Sequence, residues 1–420
     1  MNNPQLFRKT LLAAAVLLTT QQATAAGFQL NAQSATGLGR AFAGDAVIAD
    51  NASVMARNPA AMALFDDVSL SLGVVSIASE IEVKDSTYNS LGSPAADSNY
   101  SDAGDTSYVP NIHVIVPINE KFAVGVNLYS NFGTKTEFDD NFVGSEYGGL
   151  TDVKSMNLGL SGSYRIDEQW SIGAGLDIIY GTGKLQRDFS ATFPGGAANT
   201  TALDADAAGI GFGFNLGTVY ELNENNRFGL SYHYSPELEA KGDITYAPNL
   251  SQPVANDDTL YMPLPDMAEF SGYHRLEDTK FAVHYSVQWI GWAAFDTLDS
   301  DAHGTINTYK WKNAMHYSIG GTYYLNEEWT LRTGYMYDQS AQDEVTSISV
   351  PDSDRQWFSA GFTYHLDAKS NIDFGATYLV GKDVTVHEEK VTSGGTVLSS
   401  IDATTRANAV LLGVQYTRSF

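Results

Sequence analysis

The sequence contains no cysteine, only 17% charged residues and no apolar stretch of transmembrane-helix length. Without cysteine the fold uses no disulfide, and thiolate metal sites and cysteine nucleophiles are excluded. The early apolar run at residues 11–18 is much shorter than the roughly 20 residues that a spanning helix needs. If the chain crosses a membrane, we therefore expect it to cross as a closed β-barrel, which satisfies its backbone polar groups without water.

Positive charge is also scarce, with 24 Lys and Arg against 49 Asp and Glu and a net charge of −25. This balance excludes nucleic acid as an expected partner. The eight histidines are scattered, and neither an HExxH motif nor a GxSxG elbow occurs. We expect no enzymatic activity, no cofactor and no metal, and a hydrolase site on a barrel rim is the disfavoured alternative. The chain carries no nucleotide-binding motif, so any transport should be passive.

The N-terminus has the composition of an export signal. Arg8 and Lys9 precede the apolar run, and Ala23-Thr24-Ala25 provides a small-residue cleavage site. We predict a signal peptide over residues 1–25.

Short polar turns recur about every 50 residues, each followed by a segment that opens with an aromatic residue. Six such turns plus a first and a last strand predict fourteen antiparallel strands over residues 68–420. The abundance of Gly, Tyr and Phe fits such a barrel, although a soluble β-sandwich would share part of it. The turns are Asn119 to Lys121, Asp167 to Gln169, Asn223 to Asn226, Glu277 to Thr279, Asn326 to Glu328 and Asp367 to Ser370.

Long polar connections alternate with these turns. Short turns at one end and long loops at the other are typical of bacterial outer-membrane barrels, with the turns in the periplasm. The long connections span residues 85–105, 133–151, 190–208, 248–263, 296–307, 341–354 and 389–403.

Alternation of apolar and small polar residues supports the strand prediction. Around residues 153–165, Met156, Leu158 and Leu160 alternate with serine, asparagine and glycine, which indicates one lipid face and one lumen face. In the first strand the apolar parity switches at Val74 and Val75, which predicts a β-bulge there.

Residues 26–67 lack a strand pattern but are too apolar for a disordered tail. A fourteen-stranded barrel is too wide for its wall side chains alone to fill. We therefore predict that this segment, hereafter the plug, folds inside the lumen.

Two cations share the lumen parity of their predicted strands. Arg187 and Lys312 both lie above the apolar band, at similar distances from the periplasmic turns. Two cations at one level could hold a carboxylate over an apolar tunnel. The alternative is that each cation pairs with an acidic side chain of a loop or of the plug.

Several segments resemble the long-chain fatty acid outer-membrane transporters of the FadL family. They are Ala26 to Asn31, Gly37 to Ala41, Ile48 to Asp50 and Arg57-Asn58-Pro59-Ala60, together with residues 109–119, 151–165, 271–286, 323–334 and 347–361. The resemblance covers the whole chain. It implies a fourteen-stranded barrel with an N-terminal hatch, capture of a long-chain fatty acid among extracellular loops, a pocket over the hatch, and exit through the wall at a kink in the third strand.

The same resemblance assigns roles to particular residues. Asn58, Pro59 and Ala60 match the hatch signature, Phe28 matches an aromatic residue under the pocket, and Arg187 and Lys312 match basic residues of the pocket. The kink falls on Ser130-Asn131-Phe132-Gly133.

Simpler interpretations of these residues stay open. Asn58 to Ala60 could be only a helix boundary, Asn131 and Gly133 could be ordinary turn residues, and Phe28 could simply pack on the wall. A ligand-responsive hinge and a mobile terminus are the functional alternatives.

Two further functions compete with fatty acid transport. Uptake of neutral aromatic hydrocarbons is the main alternative, and a polar porin is disfavoured by the plug. We also expect a monomer in contact with outer-membrane lipid, whose loops could serve a phage as a receptor.

Overall fold

The computed structural model describes residues 27–195, 197–247 and 254–420, with only the backbone described at 254–256. The predicted signal peptide lies outside the described residues. No helix in the described part of the chain is long and apolar enough to cross a membrane.

The plug contains three short helices. They are the α-helix α1 (Ala35–Leu38) and the 3₁₀ helices η1 (Ala52–Ala56) and η2 (Pro59–Leu64). Each begins at a side chain that accepts a backbone N–H hydrogen bond, namely Ser34 from Gly37, Asn51 from Ser53 and Asn58 from Ala60. Such caps let short helices form without a long run of helix-favouring residues.

Twenty-one strand segments follow. They are β1 (Ser69–Ser90), β2 (Ala96–Asp97), β3 (Thr106–Pro117), β4 (Phe122–Tyr129), β5 (Gly133–Glu137), β6 (Leu150–Arg165), β7 (Trp170–Asp188), β8 (Thr201–Asn223), β9 (Asn226–Tyr234), β10 (Glu237–Tyr246), β11 (Val254–Pro263), β12 (Met267–Arg275), β13 (Phe281–Ile290), β14 (Thr297–Ser300), β15 (Gly304–Thr308), β16 (Ala314–Tyr324), β17 (Trp329–Asp338), β18 (Arg355–Asp367), β19 (Ser370–Gly381), β20 (Val384–Val391) and β21 (Val397–Ser419). A further 3₁₀ helix, η3 (Trp292–Ala294), follows β13.

Segments that continue one another along the wall form fourteen antiparallel strands, as predicted. For example, β4 and β5 both pair with β6, and β19 and β20 both pair with β21. The barrel closes where β1 pairs with β21, from Ser69 opposite Ser419 to Ser90 opposite Ser399.

The predicted tight turns are confirmed, and three share one chemistry. The side-chain oxygen of Asn119 accepts from the backbone N–H groups of Lys121 and Phe122. The side chains of Asp167 and Asn326 accept in the same way from the N–H groups two and three residues ahead. A side chain that caps its own turn lets a short polar sequence reverse the chain. We call this end of the barrel the lower end.

The predicted lipid and lumen faces are confirmed around β6. Leu158 and Leu160 are exposed on the outer surface, whereas Ser155 and Asn157 are buried inside. The β-bulge predicted at Val74 and Val75 is wrong, because β1 keeps one register against β21 from Ser69 to Lys84. Val75 and Ile77 face inward and pack in one apolar cluster with plug residues.

The plug lies inside the barrel and touches its wall on several sides. A Cβ atom on wall residue Gly173 would overlap the Ala60 backbone, and one on Gly334 would overlap the Arg40 backbone. Only glycine allows this approach, so the wall is shaped to the plug at these positions.

Ion pairs also join the plug to the wall. Arg57 lies 3.1 Å from Glu269, and Asp50 lies 3.4 Å from Arg332. Burial alone would raise the pKa of Asp50, but Arg40 and Arg332 lower it to about 2, so this plug carboxylate stays charged.

One of the long connections does not project outward. The chain between β17 and β18, expected to be a polar loop, folds into the barrel mouth and buries Ile348 and Val350. Asp352 holds it there by accepting from the Ala341 N–H at 2.7 Å and pairing with Arg355 at 3.1 Å.

Candidate functional site

A cavity of about 140 Å³ lies inside the end of the barrel opposite the tight turns. We call it the upper cavity. Charged and aromatic side chains line its polar part, and Leu185, Leu203, Leu298 and Leu398 contribute apolar walls. The charged residues are Arg187, Lys390, Glu146 and Glu388.

Arg187 lies near the end of β7 that is farther from the tight turns. Neutral oxygens accept the hydrogen bonds of its guanidinium. It donates to the carbonyls of Leu150 and Gln186 and to the Thr151 hydroxyl, at 2.5, 2.7 and 2.6 Å. Among the described residues it forms no ion pair within 4 Å. The wall therefore fixes its position through neutral oxygens.

Lys390 on β20 is the second cation of the upper cavity. Its Nζ atom lies 5.8 Å from the centroid of the Tyr147 ring, and no carboxylate of the described chain lies within 4 Å of it. This residue was missed from the sequence because it falls in a stretch interpreted as a loop, where strand parity was not applied. Its strand character was the signal that could have found it.

The two acids of the cavity are held by neutral donors. Glu146 accepts from the Tyr88 hydroxyl at 2.7 Å, from Ser399 at 2.7 Å and from the Ser190 N–H at 3.2 Å. Glu388 accepts from the Ile348 N–H at 2.8 Å. The cations are therefore left facing the cavity.

Lys312 does not line the upper cavity. The expectation that it faces inward is wrong, because β16 begins only at Ala314 and its parity does not extend back to Lys312. Its side chain is 51% exposed, and its Nζ lies 3.3 Å from Asp343 of the neighbouring connection. This is the ion pairing that the sequence left open as the alternative.

A second, smaller cavity of about 30 Å³ lies next to the upper one and shares Leu185, Leu298 and Tyr309 with it. We call it the lower cavity. Its other lining is almost entirely apolar and ends on Phe28 of the plug. Burial raises the pKa of the Tyr309 hydroxyl, so it stays protonated between the two cavities. Together the cavities place cations above an apolar space.

Phe28 closes the lower cavity within a cluster of aromatic rings. Its ring centroid lies 4.6 Å from Trp292, 5.0 Å from Phe295, 5.7 Å from Trp311 and 6.2 Å from Phe132. The last of these rings belongs to the predicted kink. Phe28 thus forms part of the floor of the lower cavity and also contacts the wall beside it.

The predicted kink coincides with a break in the third wall strand. Tyr129 pairs with Asn157 and Gly133 pairs with Lys154, so three residues, 130–132, face two on β6. The plug occupies the break from inside. The Leu30 N–H donates to the Asn131 carbonyl at 2.6 Å, the Gly133 N–H donates to the Phe28 carbonyl at 2.7 Å, and Gln29 bridges Phe132.

The wall has an unpaired stretch beside this break. Residues 112–117 of β3 pair with β4, but residues 106–111 form no ladder with β5 in the described chain. Above this stretch, two contacts join the two sides of the wall again. The Glu137 N–H donates to the Ala103 carbonyl, and Lys135 forms an ion pair with Asp105 at 2.6 Å. We call the unpaired stretch between these joints the wall gap.

Plug side chains fill the space behind the wall gap. The side-chain amide of Gln33 donates to the side-chain oxygen of Asn131 at 2.9 Å. Nε2 of His113 on β3 lies 3.0 Å from the backbone oxygen of Gln33. Asn111 on β3 donates to the Ala32 carbonyl at 3.3 Å. Removing the plug from the wall gap would break all of these hydrogen bonds.

Asn58, Pro59 and Ala60 form the start of η2, which is the helix boundary expected from sequence. Asn58 also donates to the Thr218 carbonyl of the wall at 3.1 Å. None of these three residues lines either cavity, and a hinge at this point stays a prediction.

A family model described as "Outer membrane protein transport protein (OMPP1/FadL/TodX)" matches residues 16–420. The chain is 36% identical to a "Long-chain fatty acid transport protein" of Escherichia coli over 431 residues, covering 92% of this chain and 95% of the relative. It is 37% identical to the "47 kDa outer membrane protein" of Pasteurella multocida over 414 residues, covering 92% and 94%.

Solved structures share the fold. A FadL homologue of Pseudomonas aeruginosa superposes with a TM-score of 0.83 at 22% identity, covering 94% of this chain and 100% of the other. The toluene transporter TbuX of Ralstonia pickettii superposes with a TM-score of 0.67 at 16% identity, covering 92% and 98%.

Proposed function

Because this chain belongs to the FadL/TodX family of outer-membrane transport proteins, we propose that it carries long-chain fatty acids passively across the bacterial outer membrane into the periplasm. It is a multi-pass protein of the outer membrane. The relatives that share more than a third of its sequence include fatty acid transport proteins, and the sequence carries no nucleotide-binding motif.

The observation that carries the proposal is the position of two cations, each outside any ion pair, above an apolar space. Arg187 and Lys390 line the upper cavity without an ion-pair partner in the described chain, and the lower cavity beneath them is apolar. A guanidinium and an ammonium can both donate to one carboxylate, and such charge-assisted hydrogen bonds are strong where water is scarce. The acyl chain would then lie toward Phe28.

We infer that the cargo leaves sideways through the wall gap. The plug is packed against wall glycines such as Gly173 and Gly334, which disfavours a path straight downward. The lower cavity instead ends on Phe28, next to the break at residues 130–133. Movement of the first plug residues would open both the cavity floor and the wall gap, so this terminus is the natural gate.

Uptake measurements with single substitutions test the proposal. We expect Arg187→Ala and Lys390→Ala each to lower oleate affinity about tenfold or more, because each removes a charge-assisted hydrogen bond. Lys382→Ala is the matched control, since Lys382 is exposed and pairs with Asp354 at 2.9 Å. Oleate uptake by cells that produce each variant is measured beside binding to the purified protein.

The Lys312→Ala variant tests which lysine acts together with Arg187. The sequence predicted Lys312, whereas the fold favours Lys390. Loss of oleate binding in Lys312→Ala, with Lys390→Ala unaffected, would contradict our assignment of the upper cavity. Unchanged oleate uptake in the Arg187→Ala, Lys390→Ala double variant would contradict carboxylate binding altogether.

Uptake of neutral aromatic hydrocarbons is the second candidate function. The ring cluster around Phe28 offers stacking partners for a small aromatic molecule, and toluene transporters share the fold. Toluene carries no charge, so this function predicts uptake that the double variant retains. Rapid toluene uptake together with absent oleate uptake in the wild type would favour it.

A further inference from the structure

The polar part of the upper cavity offers hydrogen-bond acceptors as well as cations. Glu388 and Glu146 line it beside the two cations, and neither acid forms an ion pair within 4 Å in the described chain. The ionised head of a plain fatty acid consists only of acceptor atoms, so it can use the cations but not the acids. The lining therefore contains two groups that a plain fatty acid leaves unused.

The upper cavity is also larger than a carboxylate requires. Its volume is about 140 Å³, against about 30 Å³ for the apolar lower cavity. A single water molecule needs roughly 10 to 15 Å³, so the two oxygens of a carboxylate leave most of this space unfilled. Room remains beside the carboxylate for a further polar group of the cargo.

Glu388 is the acid that is better placed to accept from such a group. Glu146 already accepts from three neutral donors of the surrounding chain. Glu388 has the Ile348 N–H at 2.8 Å and the Ser347 side chain as its hydrogen-bonding neighbours. A carboxylate offers about four acceptor positions, so Glu388 keeps capacity for a donor that enters the cavity.

The spacing of Glu388 and Lys390 indicates where on the cargo this donor must lie. The two residues are two positions apart on β20, so their side chains leave the same side of the strand, about 6.6 Å apart along it. When Lys390 holds the cargo carboxylate, we expect a donor on one of the next few carbon atoms to reach Glu388. A donor at the far end of the acyl chain would instead lie in the apolar lower cavity.

The chemistry of the cavity favours a hydroxyl over an ammonium group as this donor. An ammonium group there would lie close to Lys390 and Arg187, and like charges repel one another strongly where water is scarce. A hydroxyl carries no net charge, and its hydrogen bond to an ionised carboxylate is about twice as strong as one between neutral groups.

We propose that the protein prefers fatty acids with a hydroxyl group close to the carboxylate, such as 3-hydroxy fatty acids, and that Glu388 selects them. Arg187 and Lys390 bind the carboxylate, and Glu388 accepts from the hydroxyl. The inference rests on the proposed binding of a carboxylate in the upper cavity. For this subclass of cargo the acid beside the cations is an advantage, because the hydrogen bond offsets the repulsion between the two carboxylates.

The affinities of the purified full-length protein for myristate, 3-hydroxymyristate and 3-methoxymyristate test the preference. Displacement of a fluorescent fatty acid measures all three. We expect 3-hydroxymyristate to bind about tenfold more tightly than myristate, because it adds one charge-assisted hydrogen bond. The methyl ether keeps the oxygen atom but has no proton to donate, so it should bind no more tightly than myristate. This comparison needs no variant.

Glu388→Gln tests which residue is responsible. The glutamine oxygen can still accept from the Ile348 N–H, but the charge that strengthens the hydrogen bond from the hydroxyl is removed. The preference for 3-hydroxymyristate over myristate should fall to about twofold or less, while myristate itself binds more tightly because the repulsion is lost. Glu389→Gln is the matched control, since its side chain is 47% exposed, and it should keep the wild-type preference.

The possible outcomes distinguish this inference from the proposed function. Equal binding of myristate and 3-hydroxymyristate by the wild type, or a preference that Glu388→Gln retains, would overturn the selection by Glu388 and leave fatty acid transport intact. An equal gain for the methyl ether would also overturn it, because the extra volume and not the donor would then produce the preference. Failure of the wild type to bind any of the three acids would contradict the proposed function itself.

Discussion

At the scale of single residues, the upper cavity combines two cations with two acids. Arg187 and Lys390 face the cavity unpaired, while Glu146 and Glu388 are held by neutral donors. A cargo carboxylate would therefore meet attraction and repulsion at once. The acids then limit how tightly the cargo binds, which favours release over storage.

Glu388→Gln tests this balance. Removal of the negative charge should tighten oleate binding by roughly tenfold, because charge interactions in a partly dry cavity are only weakly screened. Displacement of a fluorescent fatty acid from the purified protein measures the change.

The neighbouring Glu389→Gln is the matched control for Glu388→Gln. It removes the same charge from a side chain that is 47% exposed and lies 3.8 Å from His387. Equal effects of the two substitutions, or weaker binding in Glu388→Gln, would show that Glu388 does not oppose the cargo.

At the scale of elements, the decisive feature is the break between β4 and β5 together with the plug residues that fill it. Residues 28–30 pair with residues 131–133 as a short added strand, and Phe28 at its start closes the lower cavity. One movement of this strand would therefore remove the cavity floor and expose the wall gap. The two events are coupled because the same residues perform both functions.

A reversible crosslink tests whether this strand must move. Gln29 and Phe132 form an antiparallel bridge, a spacing that suits a disulfide after substitution of both by cysteine. The chain has no other cysteine, so the bond would be unambiguous. We expect oxidation to reduce oleate uptake at least tenfold and dithiothreitol to restore it.

A second cysteine pair separates locking from oxidation itself. Glu82 and Arg406 face each other across β1 and β21, where the wall is continuously paired, so a disulfide there should leave uptake unchanged. Full uptake in the oxidised Gln29→Cys, Phe132→Cys variant would exclude movement of the plug strand as the gate.

At the scale of the whole molecule, the barrel closes on itself without the plug. The barrel closes through the long pairing of β1 with β21, and the plug adds only the short pairing at the break. The plug is joined to the wall by packing on glycines and by pairs such as Arg57 with Glu269. Closure and plugging are thus separable properties of the fold.

Deletion of residues 27–64 from the mature chain should leave a barrel that still inserts in the outer membrane. Its lumen would be wide and polar, because serine and asparagine dominate the inner face. We expect the deletion to admit small hydrophilic solutes in a liposome-swelling assay, with the full chain as the impermeable control. A folded, inserted variant that stays impermeable would show that the loops, not the plug, seal the barrel.

The sequence by itself determined the barrel, its fourteen strands and its family. These features rest on local patterns, because side chains alternate every second residue along a strand and residues such as Asn119 and Asp167 cap their own turns. The position of the strand break at residues 130–133 and the buried plug could likewise be predicted, through resemblance and composition. Arg187 was found because it lies on a regular strand.

Only the tertiary structure decided which groups meet. Lys390 replaces Lys312 beside Arg187, because Lys312 lies outside the regular strand and pairs with Asp343. The contact of Phe28 with Trp292 joins segments hundreds of residues apart. The inward fold of the connection before Arg355 likewise brings Ile348 into one apolar cluster with the distant Ile81. Periodicity describes the direction of a side chain within one strand, but the neighbours that it meets across the lumen depend on how the whole barrel closes around the plug.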